Sequence, residues 1–228
     1  MTNRVNEVSR VERTKEEARA AYDRLSRVYD VLAGKSETPC REAGLRMLAA
    51  QPGEVVLEVG YGTGHALIEL AGAVGPRGKV YGIDISPGMW ELSRERLARA
   101  GLAKRVALEV GDAAQLPFST EFFDAIFICF TLELFDTPEI PQVLSECHRA
   151  LRTGGRLGVV SLAKDGQASL AVRLYEWAHR QFPAYVDCRP IYVRDALERS
   201  GFTIQSEEMR AMWGLPVALC VATACTII

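Results

Sequence analysis

The sequence predicts an α/β fold: a doubly wound sheet of about seven strands, mostly parallel, with an antiparallel C-terminal strand. Three observations lead there. Short apolar runs alternate with amphipathic runs from Val56 to Leu162, the pattern of strands joined by helical crossovers. The run Val56-Leu57-Glu58-Val59-Gly60-Tyr61-Gly62-Thr63-Gly64-His65 is an apolar strand followed by glycines at alternate positions. Glycine lacks a Cβ, so such a loop reaches backbone angles costly to other residues and leaves room for a ligand against the chain. Val80-Tyr81-Gly82-Ile83-Asp84 is a second short strand ending in a carboxylate, at about the distance downstream where such folds hold a ribose.

The elements follow in order. After the glycine loop, Leu67, Leu70, Ala71 and Val74 recur at helical spacing, and Gly75-Pro76 stops that helix. Ser86-Pro87 supplies an N-cap and a first-turn proline; Met89, Leu92, Leu97 and Ala100 are the apolar contacts, and Gly101 ends the helix. Val106 to Val110 reads as strand three. Phe122 to Phe130, apolar apart from Asp124, reads as a central strand covered on both faces. Thr137-Pro138 is expected to open the next helix, with Ile140, Val143, Leu144, Cys147 and Leu151 on one face. Gly154-Gly155 then turns into strand five, Arg156 to Leu162. Ile191 to Ser200 reads as a helix stopped by Gly201, and Phe202 to Met209 with Val217 to Ala224 as an antiparallel pair.

With 228 residues and a formal net charge of −2, the chain fits one domain that buries a continuous core without metal or disulfide staples. The absence of a global basic field argues against nucleic acid as a partner. Cys40, Cys129, Cys147, Cys188, Cys220 and Cys225 are scattered, with no Cys-x-x-Cys pair and no His at zinc spacing, so reduced structural thiols and no metal are expected. Met1 to Arg19 is charged and unlike a secretory signal, which makes cytoplasmic residence the expectation. Leu215 to Ile228 is shorter than the roughly 20 residues of a membrane-spanning helix and reads as a buried strand.

With these elements in place, the chain resembles the class I S-adenosylmethionine-dependent methyltransferases from Tyr22 to Ala224, a family with a Rossmann-like sheet. Glu58-Val59-Gly60-Tyr61-Gly62-Thr63-Gly64 is similar to their first motif and Asp84 to the acidic end of their second strand. Gly111-Asp112-Ala113 with Leu116-Pro117-Phe118 resembles the segment beside adenine, and Leu151 to Leu157 the turn into strand five. Phe123-Asp124 and Leu132-Glu133 look like the small-molecule members, especially the ubiquinone/menaquinone C-methyltransferases. Tyr22-Asp23 and Tyr29-Asp30 resemble the N-terminal lid of that group.

The resemblance implies a single domain over residues 1–228, with 1–50 as a helical lid region and 164–193 as a substrate-covering insertion. It implies S-adenosyl-L-methionine as cofactor, leaving as S-adenosyl-L-homocysteine, and a small-molecule acceptor. Cofactor contacts are expected from Glu58, Gly60, Tyr61, Gly62, Gly64, Asp84, Ile85, Met89, Gly111, Asp112, Ala113, Phe130, Tyr22 and Tyr29. Asp84 is the expected partner of both ribose hydroxyls, because a carboxylate has two acceptor oxygens suited to a diol. Asp112 either meets the adenine amine or forms a turn; Glu58 either orients the cofactor amine or caps local backbone. Phe130 is core or pocket, and Tyr22, Leu25, Tyr29 and Leu32 share a helix face that meets the crevice or the core. Thr131, Tyr175, Trp177 and Tyr185 are the expected acceptor contacts, with Phe182 beside them; aromatic packing is the competing reading of the last group.

In-line attack on a sulfonium methyl releases a neutral thioether, so alignment and water exclusion suffice for much of the catalysis. Glu133, His65, His148 and His179 are titratable candidates, but none sits in a base motif and no catalytic residue is assigned. The chain has Phe130-Thr131-Leu132-Glu133 where many amino-methylating nucleic-acid enzymes carry Asn/Asp-Pro-Pro-Tyr. Arg19, Arg24 and Arg27 raise peripheral membrane contact as a secondary reading if the acceptor is lipidic. Two alternatives stand. An NAD-dependent oxidoreductase shares Gly60, Gly62 and Asp84, but its fingerprint needs a small residue three beyond the second glycine, where this chain has His65. A non-catalytic cofactor-binding or scaffolding protein keeps the crevice without productive acceptor geometry. Asp84→Ala is expected to weaken cofactor binding and leave folding nearly intact. Oligomeric state is not legible.

Overall fold

The computed structural model describes residues 10, 14–17, 19–20, 23, 35–164 and 188–224. Its elements are α1 (Lys35–Leu48), β1 (Val55–Val59), α2 (His65–Val74), β2 (Lys79–Asp84), α3 (Pro87–Arg99), β3 (Val106–Val110) and β4 (Phe123–Cys129). A short 3-10 turn (Leu132–Leu134) precedes α4 (Ile140–Ala150), β5 (Leu151–Leu162), α5 (Val193–Arg199), β6 (Phe202–Met212) and β7 (Leu215–Ala224). The seven strands form one sheet in the order β3-β2-β1-β4-β5-β7-β6. β1 to β5 are parallel, and β7 runs antiparallel to both of its neighbours.

Alternation across the pleat explains why the central strands are apolar throughout. In β4, Ala125 and Phe127 face a core shared with α1, α2 and α3, while Ile126 and Ile128 face a core shared with α4 and α5. Both faces are covered, so each residue must be apolar whichever way it points. Order reverses between β1 and β4, whose ends align through Val59 with Ile83 on one side and Ile128 on the other. A crevice therefore opens at the carboxyl ends of these strands, where adjacent crossovers leave in opposite directions.

The caps agree with the sequence where a single residue decides them. Ser86 accepts from Met89 N at 3.1 Å and Pro87 opens α3. Other boundaries move. Thr137 and Pro138 lie in a turn closed by Glu139 N donating to Asp136 O at 2.8 Å, and α4 starts at Ile140. β5 begins at Leu151, not Arg156, with a register shift against β4 between Phe123 and Ala125 that absorbs the glycines. Ile191 is outside α5 because it bridges Ala163 at the end of β5.

Within residues 1–50, α1 is core: Cys40, Ala43 and Leu48 are buried, and a Cβ on Gly44 would lie 2.3 Å from Val160. The described cysteines, Cys40, Cys129, Cys147, Cys188 and Cys220, are all free; burial pushes the thiols of Cys147 and Cys220 up to about 12. No helix among the described residues is long and apolar enough to cross a membrane. Tyr22, Leu25, Tyr29, Leu32, Tyr175, Trp177, His179, Phe182, Tyr185 and Cys225 lie outside the described residues.

Candidate active site

The three loop glycines after β1 serve different ends. A Cβ on Gly60 would fall 2.3 Å from Thr131, and one on Gly64 would fall 2.8 Å from Ser93 Oγ, so both positions are set by protein packing. All three have a left-handed φ, but Gly62 differs in that nothing lies within 4 Å of where its Cβ would be. That open space belongs to the crevice, which Gly60 and Gly62 line and Gly64 does not. A ligand can therefore approach the Gly62 backbone directly.

Asp84 joins this loop to the next. One carboxylate oxygen accepts from Gly62 N and the other from Ser86 N, each at 2.9 Å. Burial pushes its carboxyl above the usual range, partly offset by the backbone N–H groups of Ser86, Gly62 and Ile85. Each oxygen retains further acceptor capacity, which suits a vicinal diol. The same bonds correct the sequence expectation for Asp84→Ala. The side chain is half-buried and bridges two loops, so its removal orphans two backbone donors and costs stability as well.

Ile85, Met89, Gly111 and Ala113 continue the wall beyond Asp84. Gly111 N donates to Asp84 O at 2.9 Å, fixing the third strand's loop against the second. Asp112 divides its work. Oδ1 accepts from Ala114 N at 2.9 Å, the turn role, while Oδ2 meets Lys15 Nζ at 2.5 Å. Lys15 also pairs with Glu139 at 2.7 Å. Asp23 reaches the same region, accepting from Ser86 Oγ at 2.6 Å and Gly88 N at 2.9 Å.

On β1, Glu58 is buried, its Oε2 has no hydrogen-bond partner, and desolvation pushes its carboxyl well above the usual range. A buried carboxylate oxygen without a partner costs about 1–3 kcal/mol unless a ligand donates to it. Glu37 and Arg41, from α1, line the crevice nearby. Tyr61 also lines it, but its ring is buried and its hydroxyl donates to Glu109 O at 3.3 Å. Phe130 is both core and wall: it is buried, and its φ of 50° places a non-glycine residue in the left-handed region at the end of β4. Such strain costs about 1–3 kcal/mol and clusters at functional sites. Thr131 lines the crevice with its hydroxyl donating to Cys129 O at 3.0 Å.

Sequence reading missed Lys15, Glu37, Arg41, Asp136 and Glu139, all lining residues. None belongs to the strand-loop motifs; tertiary packing brings them in. His65 is on the wall, whereas His148 packs edge-on against Phe202, with centroids 5.4 Å apart. Among the described lining residues, Glu37, Glu58, Asp84, Asp112, Asp136 and Glu139 stand against two full cations, Lys15 and Arg41. Three of those carboxylates are already paired, Asp112 and Glu139 with Lys15 and Asp136 with Arg10 at 2.6 Å, and burial raises Glu58, so the acidic count overstates the field in the crevice.

The sheet order, the glycine loop after β1 and the acidic end of β2 define a class I methyltransferase fold. Residues 56–155 match the family model described as a methyltransferase domain, and the chain carries that domain. It is related to the methyltransferases of menaquinone biosynthesis. Demethylmenaquinone methyltransferase of Geobacillus stearothermophilus is 37% identical over 152 residues, 67% of this chain and 62% of that protein. Its Geobacillus kaustophilus counterpart is 38% identical over 146 residues, 64% of this chain and 60% of that protein. The chain thus spans about three fifths of the length of these relatives. The solved structure of the cyclase SpnF superposes with a TM-score of 0.75 at 18% identity, covering 93% of this chain and 97% of that one. Identity that low shows the fold alone, and a fold does not by itself fix a reaction.

Proposed function

We propose that the chain transfers a methyl group from S-adenosyl-L-methionine to a small-molecule acceptor. The observation that carries this reading is the Asp84 carboxylate, held by Gly62 N and Ser86 N at 2.9 Å beside the open face of Gly62. Asp84 would take the ribose hydroxyls, and the Gly111 to Ala113 wall the adenine. Glu58, with its unpartnered oxygen, offers an acceptor to the ammonium of the methionyl tail, and Arg41 a donor to its carboxylate. When bound, the cofactor supplies an electrophilic methyl whose leaving group, S-adenosyl-L-homocysteine, departs neutral. The residues here bind, align and exclude water, which is where rate comes from in such a transfer.

The lining supports this reading over a dinucleotide one, since Lys15 is taken by Asp112 and Glu139, which leaves Arg41 as the described wall cation to meet a pyrophosphate. Demethylmenaquinone, named in the relatives, suggests a quinone-derived acceptor in its reduced, dihydroxy form. A lipidic acceptor of that kind would bring the chain to a membrane surface. Calorimetric titration of the cofactor into the wild-type chain and Asp84→Asn tests the reading. Saturable binding is expected, weakened by about tenfold or more in the variant, as for loss of a charge-assisted hydrogen bond. Equal affinity removes Asp84 from the site.

A further inference from the structure

A second polar cluster stands beside the crevice wall, at the carboxyl ends of β4 and β5. Glu133, on the 3-10 turn, is fully buried; its Oε1 accepts from Leu162 N at 3.1 Å, and its Oε2 has no partner. Arg189 is fully buried too. Its Nη2 donates to Phe135 O at 2.5 Å, while Nε and Nη1 have no partner. Both are rooted on the same stretch of strand, because Ile191 N donates to Leu162 O at 3.1 Å and Lys164 N to Ile191 O at 2.9 Å. Their neighbours Thr131, Leu134 and Phe135 line the crevice.

Buried opposite charges ordinarily bond to each other, because an unmatched charge away from water costs several kcal/mol. Glu133 raises the Arg189 guanidinium through space, yet burial lowers it further, to about 10, and the orphaned atoms show that the two are not directly paired. The leftover atoms are one strong acceptor and two strong donors. A hydroxyl group fits that set: its O–H donates to Glu133 Oε2, and its oxygen accepts from Arg189.

We propose that Glu133 and Arg189 form the subsite for an ionisable hydroxyl of the acceptor, a phenol, enol or hydroquinone. Glu133 takes its proton and Arg189 holds the resulting oxyanion. The inference rests on the methyl-transfer reading above. In the step, the acceptor O–H bond breaks and a bond from hydrogen to Glu133 Oε2 forms. The electron pair stays on the acceptor oxygen, so one negative charge passes from carboxylate to oxyanion beside the guanidinium. Conjugation then spreads that charge onto neighbouring carbon, making carbon or oxygen a better nucleophile.

The groups acting on Glu133 are Glu37 on α1, the Cys129 thiol on β4 and Arg189. Asp136 and Arg10 act on Arg189. Burial dominates and pushes the Glu133 carboxyl up to about 7, while the N–H groups of Glu133 and Leu162 pull it down; the nearby Ser161 hydroxyl donates to Leu162 O at 3.2 Å and leaves Oε2 unpartnered. A proton acceptor of that strength suits work at neutral pH.

The test uses a short-chain prenyl 1,4-naphthohydroquinone under nitrogen, with the full chain. Wild-type single-turnover methylation is expected to rise with pH through about 7. Glu133→Gln, which keeps an acceptor for Leu162 N, should lose about 100-fold or more in rate and flatten the profile. Cofactor affinity should stay within about twofold and Glu133→Asp should recover part of the rate. Without cofactor, absorbance of the bound probe should show the naphtholate in the wild type and the neutral naphthol in Glu133→Gln. An unchanged rate and pH profile in Glu133→Gln overturns the proposal. So does a wild-type chain that binds cofactor but neither ionises nor methylates the probe. A wild-type chain that binds no cofactor at all fails the methyl-transfer reading itself and takes the subsite with it.

Discussion

The loops that follow β1, β2 and β3 line the crevice, while the cluster at the ends of β4 and β5 is buried behind the wall made by Thr131, Leu134 and Phe135, and the two are finished differently. In the first region the polar groups of the loops answer one another, Glu58 Oε2 on β1 being the exception: Asp84 binds two loop N–H groups, Gly111 N binds Asp84 O, and Asp112 closes its own turn. In the second, Glu133 Oε2 and Arg189 Nε and Nη1 are buried without partners. A self-satisfied region is rigid before its ligand arrives, so its binding energy is not spent on ordering loops. An unsatisfied region sacrifices stability, which a ligand with matching donors and acceptors returns.

The largest expected effect breaks the first region by packing. Gly60→Ala forces a Cβ to 2.3 Å from Thr131 at a left-handed φ, and is expected to cost about 2–4 kcal/mol, read as a drop in melting temperature. Gly62→Ala meets no protein atom within 4 Å. It should cost only the backbone strain, about 1–2 kcal/mol, while abolishing most cofactor affinity. If the two variants behave alike, the assignment of Gly60 to packing and Gly62 to ligand fails.

The second region should show itself in the pH dependence of stability. The folded Glu133 carboxyl titrates at about 7 against an ordinary value of 4.5. The folded state therefore holds its proton over a range where the unfolded chain has lost it. This contribution is fully present below pH 4.5 and is lost as pH rises to about 7. The fall amounts to about 3 kcal/mol. Denaturant unfolding of wild type against Glu133→Gln should show that difference shrinking towards low pH; parallel curves would mean the carboxylate is well solvated or paired.

The smallest effect is expected at Lys15, on the crevice wall. Lys15 is 41% exposed and pairs with Asp112 and Glu139, so Lys15→Ala should change stability by less than about 1 kcal/mol. Because Lys15 occupies Asp112 Oδ2, the variant should bind cofactor no more weakly, and its affinity should depend less on salt.

The first region was the legible one, for a physical reason. Its residues are consecutive with strand ends, so alternation and glycine spacing place Gly62, Asp84 and Gly111 at one edge without knowledge of the tertiary fold. Seven strands and the antiparallel β7 were equally readable, because both faces of the sheet are covered and turns separate the runs. Arg189 carried no local signal: it stands ahead of a seven-residue helix and matters only through the Ala163 bridge that follows. Lys15 and Arg41 arrive from chain segments with no motif. Thr137-Pro138 misled because a helix-opening pair is also a turn-forming pair, and here residues 136–139 close a turn ahead of α4.

Titrating S-adenosyl-L-methionine into the wild-type chain and into Asp84→Asn, with melting curves on both, decides whether Asp84 holds the cofactor. Saturable wild-type binding is expected, about tenfold or more weaker in the folded variant. Saturable binding with identical affinity in both proteins, or none in the wild type, contradicts it.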